Sequence, residues 1–137
     1  MVMTSVDKLI VANRQSRGGF TLIELLVVMT IISLLLTLAT PRYFGSVQRS
    51  KEAVLKQDLA QIRETLDKYY GDVGKYPDTL DDLVVRKYLR SIPSDPITES
   101  NLTWQIVPPE DPDKGEVYDV HSGAEGNGAD GLPYKEW

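Results

Sequence analysis

Cysteine is absent from this 137-residue sequence, and histidine occurs once, at position 121. No disulfide can form, so a small folded domain here must be held by its core, by a metal ion or by neighbouring molecules. No Ser/His/Asp or Cys/His arrangement, phosphate-cradling glycine loop or zinc-ligand spacing is visible, and His121 at a strand end reads as structural. Positive charge is also scarce: 15 Lys and Arg stand against 20 Asp and Glu, a formal net charge of −5. Residues 1–19 carry Lys8, Arg14 and Arg17 against Asp7, a sum of +2, which leaves −7 for the remainder. From Gly71 onward there are 14 acidic and 6 basic side chains. Affinity for a phosphate backbone needs Lys and Arg in excess, so nucleic acid is excluded as a partner while cations are favoured.

What the sequence does have is one long apolar run. Of the 21 residues from Phe20 to Thr40, 15 are strongly apolar; the others are four threonines, Ser33 and Glu24. About 20 such residues span a bilayer core. A carboxylate inside the run costs roughly 2.5–3.5 kcal/mol on insertion scales, so Glu24 needs a partner or a task. A secretory signal would place small residues after its apolar core. Here Gly18-Gly19 precedes the core, and cutting after Gly19 would leave the run on the mature protein. The basic flank predicts a leader on the cytoplasmic side and a C-terminal domain on the other.

Gly19-Phe20-Thr21-Leu22-Ile23-Glu24-Leu25-Leu26-Val27-Val28 resembles the signal of type IV pilins and type II secretion pseudopilins. The resemblance implies that a prepilin peptidase cuts after Gly19 and methylates the new terminus at Phe20, making Glu24 the fifth mature residue. That terminus is a cation and Glu24 an anion. Helices packed with an axial offset would let one subunit's Glu24 meet its neighbour's terminus and select one stagger, because a buried charge without its partner is heavily penalised.

Pro41 follows the run and Gly45 lies close behind, so the helix is expected to kink or melt there. Leu55, Leu59, Ile62, Leu66, Tyr69 and Val73 then recur at alternating spacings of three and four, one apolar stripe of an amphipathic helix. Lys51, Glu52, Lys56, Asp58, Arg63, Glu64 and Lys68 are placed off that stripe. The pattern predicts one long helix from Phe20 to Asp72, ended by Gly71 and Gly74. Asp78 or Thr79 can cap a short helix over Leu80–Lys87. Leu102–Val107 has strand character with Trp104 and Ile106 on one face, and Glu116–His121 reads as a second strand with Tyr118 and Val120 alternating. A short third strand near the C-terminus completes the expectation. The predicted fold class is α+β: a long N-terminal helix packed on a small antiparallel sheet.

Tyr76-Pro77-x-Thr79-Leu80, Ile92-Pro93-x-Asp95-Pro96, Trp104, Tyr118-Asp119-Val120-x-Ser122-Gly123 and Trp137 resemble the G-type major pseudopilins of type II secretion. The sequence is identified as a member of that pilin-like superfamily from Arg17 onward. The implied organisation is a leader over 1–19, a transmembrane and filament-core helix over 20–45, and a periplasmic globular domain over 46–137.

Residues 122–131, Ser-Gly-Ala-Glu-Gly-Asn-Gly-Ala-Asp-Gly, place oxygen donors at Ser122, Glu125, Asn127 and Asp130, with glycines that let the backbone curl. Calcium takes six to eight oxygens from carboxylates, carbonyls and water, and this spacing suits it. The resemblance implies a calcium site in the matching loop, with Glu125 standing where the family more often has aspartate.

The expected role is that of a structural subunit, not an enzyme. The resemblance implies storage in the bacterial inner membrane as a single-pass protein and polymerisation into a homo-oligomeric helical filament in the periplasm. The implied partners are minor pseudopilins, prepilin peptidase and an inner-membrane assembly platform driven by a cytoplasmic ATPase. Filament growth would drive folded substrates across the outer membrane. The competing readings are a type IV pilin of a surface filament for adhesion or motility, and a membrane-anchored periplasmic binding module.

Overall fold

Apolar residues that recur every three or four positions make a helix stable only where something covers the stripe. In the computed structural model, which describes residues 18–137, that covering is provided for the second half of one helix and not for the first. The helix, α1 (Leu22–Val73), is 52 residues long. The described chain divides into two compact units, with the boundary between Ala39 and Thr40. Residues 1–17, most of the expected leader over 1–19, lie outside the described residues.

In the first unit, α1 buries nothing: every residue from Leu22 to Ala39 is exposed. Its hydroxyls donate back along the helix. Thr30 Oγ1 bonds the carbonyl of Leu26 at 2.7 Å, Ser33 Oγ that of Met29 at 2.8 Å and Thr37 Oγ1 that of Ser33 at 2.8 Å. These bonds satisfy the three hydroxyl donors within the helix itself.

The break expected at Pro41 is not present as a break, for residues 41–45 are helical. Proline removes one amide donor, the one that would reach the carbonyl of Thr37, and the rest of the ladder persists. The expected weakness is therefore energetic. A proline and a glycine inside a helix cost about 3 and about 1 kcal/mol relative to alanine.

In the second unit, Leu55, Leu59, Ile62, Leu66 and Tyr69 of α1 are buried, as the stripe predicts. They pack in one cluster with Leu80 and Leu83 of α2 (Leu80–Val85), Leu89, Trp104, Val117, Val120, Ala124 and Tyr134. Each fully buried leucine contributes about 1.5–3 kcal/mol. Helix α2 starts at a capping box. The Asp82 amide donates to Thr79 Oγ1 at 3.3 Å, and the Thr79 amide donates to Asp82 Oδ2 at 3.2 Å, so Thr79 and not Asp78 is the cap. It ends two residues earlier than expected, where Lys87 takes a left-handed φ of 64° and the amides of Tyr88 and Leu89 both return to the carbonyl of Leu83.

The sheet is a two-stranded antiparallel ribbon, β1 (Gln105–Val107) and β2 (Asp119–His121), with Ile106 opposite Val120. Both strands are shorter than expected, and both facing assignments need correction. Trp104 is buried ahead of β1, where its indole N–H donates to the Pro93 carbonyl at 2.8 Å, whereas Ile106 is 48% exposed. Val117 and Val120 fill the core while Tyr118 is 51% exposed. An odd spacing replaces strict alternation because the chain is still turning at Val117, whose amide bonds the carbonyl of Pro77. No third strand forms among the described residues. A single bridge joins Asn127 to Pro133, and Tyr134–Glu136 is a short 3-10 turn. A ribbon this small is not stable alone, so α1 is the wall on which the domain is built.

Candidate functional site

Two places carry the residues singled out by sequence. The first lies at the start of α1. Gly18, Gly19 and Phe20 precede the helix in irregular backbone and are exposed, Phe20 to 93%. The Gly19–Phe20 bond is accessible and lies outside any helix or strand.

Four residues later Glu24 is also exposed, and its carboxylate already has a partner. The Thr21 amide donates to Glu24 Oε2 at 2.9 Å, and the Glu24 amide donates to Thr21 Oγ1 at 3.2 Å. This reciprocal pair is a capping box, with Thr21 as cap and Glu24 three residues into the helix. Thr-x-x-Glu before an apolar run is a sequence signature of that box, and it was readable at Thr21. The acid therefore also sits in the first turn of α1, where the helix dipole favours negative charge. One carboxylate oxygen, Oε1, makes no hydrogen bond within the described chain.

The second place is the loop over 122–131, whose four predicted donors separate into two kinds. Ser122 is fully buried, and its hydroxyl donates to Asp95 Oδ2 at 2.5 Å while accepting the Ala124 amide at 3.1 Å. Asp95, fully buried itself, uses Oδ1 to accept the Ile97 amide at 2.8 Å. Ser122 thus ties the loop's start to the turn after Pro93. Glu125, Asn127 and Asp130 are all exposed. Asp130 Oδ1 accepts the Leu132 amide at 3.0 Å, the Gly128 amide bonds the Leu132 carbonyl, and the amides of Gly131 and Tyr134 bond the carbonyls of Gly128 and Gly126, which holds the loop closed. Hard cations take oxygen donors of this kind, and the side chains of Glu125, Asn127 and Asp130 are exposed. The Ser122 hydroxyl is spent on Asp95. Among the described residues, no three His, Asp or Glu side chains come together as a metal cluster.

The loop's main anchor was missed from sequence. Glu52, placed off the stripe, is on it: it lies three residues before Leu55 and is 8% exposed. Its carboxylate accepts the Ala129 amide at 3.1 and 3.3 Å and the Tyr134 hydroxyl at 2.8 Å. Gln48 donates to that same hydroxyl oxygen at 2.8 Å. Burial, then the bond to Glu52, holds the Tyr134 phenol above its usual pKa. The three-then-four spacing from Glu52 to Leu55 to Leu59 was the available signal, hidden by the residue's charge.

Arg63 acts as a second clamp. Its guanidinium donates to Asp119 Oδ1 at 2.8 Å and to the main-chain oxygens of Val120 and Trp137, both at 3.0 Å. His121 completes this corner through Nδ1, 2.5 Å from the Trp137 main-chain oxygen, in the structural role expected of it. Nearby, burial and the Asp95 charge push the Asp58 carboxyl above the ordinary range.

Residues 14–40 match the prokaryotic N-terminal methylation motif family. The sequence is similar to the type II secretion system core protein G of Klebsiella michiganensis, at 29% identity over 127 residues, covering 88% of this chain and 89% of that one. It is similar to the protein of the same name from Pseudomonas aeruginosa, at 33% identity over 100 residues, covering 61% of this chain and 70% of that one. The Vibrio cholerae protein of that name is 28% identical over 135 residues, covering 85% and 90%. No solved structure matches the chain.

Proposed function

The chain belongs to the type II secretion system core protein G family, and from that premise we propose that it is the polymerising subunit of a periplasmic pseudopilus, stored in the inner membrane until assembly. Prepilin peptidase removes residues 1–19 and methylates Phe20. The subunit then enters a helical filament whose growth, powered by an ATPase-driven platform and completed by minor pseudopilins, moves folded substrates outward. The role is structural.

The observation that carries this reading is the naked first half of α1. Its apolar side chains from Leu22 to Leu38 are 45–82% exposed on a helix long and apolar enough to cross a membrane. Such a surface needs lipid or other helices around it. Lipid serves for storage, and neighbouring copies serve for the filament core. Glu24 gives the core its register: the capping box holds the acid in place, and its Oε1 is left for a neighbour's new amino terminus. The test is Glu24→Leu in cells with a working secretion system. Insertion and cleavage after Gly19 are expected to persist while filaments and secretion are lost. Normal filaments from this variant would sink the register role. A mature protein that begins upstream of Phe20, or lacks the methyl group by mass spectrometry, would sink the pseudopilin reading itself.

Calcium belongs to the same proposal. Glu125, Asn127 and Asp130 with nearby carbonyls would hold the ion, and its charge would offset the like-charge repulsion of an acidic loop. What supports it is the exposure of the three donors on a loop already closed by its own backbone and by Glu52.

A further inference from the structure

Past the end of α1 the few bases are not scattered evenly. Of the six between Gly71 and Trp137, three fall within five residues: Arg86, Lys87 and Arg90. All three are exposed. The ion pairs among the described residues join Lys51 to Glu99, Arg63 to Asp119, Lys68 to Glu64 and His121 to Asp119, so no described carboxylate forms an ion pair with the strip. Lys87 also takes its left-handed φ of 64° just past the C-cap of α2, a position glycine fills at lower cost. The backbone there gives up local stability and presents a cation.

An equally unpaired patch of opposite sign lies on the connection between β1 and β2. Glu110, Asp111 and Asp113 are exposed and belong to none of those ion pairs. Their loop is stiff: it contains Pro108, Pro109 and Pro112, Asp111 Oδ1 caps the Asp113 amide at 3.0 Å, and the Lys114 carbonyl accepts the Tyr76 amide at 2.6 Å. A rigid acidic loop and a basic strip on one chain are complementary halves of a heterologous contact, which leaves one half free at each end and so propagates.

We propose that Arg86, Lys87 and Arg90 of one copy dock the Glu110–Asp113 loop of a second copy of this chain. The contact rests on the polymeric reading above and adds to it a fixed orientation between neighbouring globular units. Exposed ion pairs of this kind are screened by salt and act mainly on register and encounter rate.

Charge reversal tests it in the full-length protein assembling in cells. Lys87→Glu with Arg90→Glu is chosen because Arg86 also lies over the Tyr69 ring, 5.5 Å from its centroid. Like charges brought together at an interface cost several kcal/mol, so filament yield should fall about tenfold or more at unchanged protein level and cleavage. Glu110→Lys with Asp111→Lys should do the same, and all four changes together should restore yield. Normal yield from either reversed pair overturns the contact. So does failure of the fourfold variant to recover, which would assign the strip to another occupant such as anionic lipid headgroups. Because the chain has no cysteine, Arg90→Cys with Asp111→Cys gives a direct readout. A disulfide ladder of trimers and longer species is expected, and a product that stops at dimers overturns the proposal. If wild-type protein forms no filament, the polymeric reading fails first and this contact falls with it. If only the reversed variants behave contrary to expectation, the contact alone is lost.

Discussion

Glu52 shows how a single charged side chain can act as a core residue. It accepts the Ala129 amide and the Tyr134 hydroxyl at the foot of the loop. Replacing it with alanine would strand the buried Tyr134 hydroxyl, at about 1–3 kcal/mol, and would take the acceptor from the amide of the exposed Ala129, a loss of about 1 kcal/mol. Glu52→Ala should therefore destabilise the globular unit by about 2–4 kcal/mol, read as a lower denaturation midpoint of the detergent-solubilised protein. Tyr134→Phe should cost less, because the Ala129 amide keeps its acceptor. Equal losses from the two variants would show that the phenol, and not the carboxylate, is the anchor. Charge misled the sequence reading at this residue, for burial of glutamate is rare unless it is partnered. The partners lie 77 and 82 positions away, beyond any local pattern. Thr21 is the opposite case. Its partner is three residues off, so the box with Glu24 was legible in the sequence and was passed over in favour of a role between subunits.

Elements were legible where the pattern was long or the chemistry local. The stripe on α1 and the start of α2 follow from spacing and from a Thr-x-x-Asp cap. Thr79→Ala should cost about 1 kcal/mol through loss of that cap, with the lower melting temperature accompanied by faster amide exchange at Asp82. Exchange unchanged at Asp82 would mean that the core, and not the cap, sets the start of α2. The strands were legible only as to place. Each is three residues long, too short for alternation to reveal which face is inward. Gly123 marks why the chain turns where it does, since a Cβ there would run into the carbonyl of Thr103. The sheet's edge is thus set by close backbone approach, which has no periodic signature. Pro41 was read for its chemistry, but chemistry alone does not say whether a weak turn is open or closed in a given state.

At the scale of the whole molecule, the two described units differ in what they lack. The first lacks a covering and the second lacks a disulfide, and each absence is visible in composition. The loop over 122–131 bears on the second. Calcium that binds only the folded state stabilises it by about 2.7 kcal/mol at 100 times its dissociation constant, so the melting temperature should rise by several degrees over that in chelator. Asp130→Ala should abolish the rise, and Ser122→Ala should keep it while lowering the starting stability. Superimposable curves with ion and with chelator would remove the site. The clamps on α1 also have a consequence in time. Gln48 and Glu52 wait for Tyr134, 86 and 82 residues downstream, and Arg63 waits for Trp137, 74 residues downstream. Ribosomes add about 5–20 residues per second. For several seconds of each chain's birth, then, the helix exists without the groups that close the head upon it.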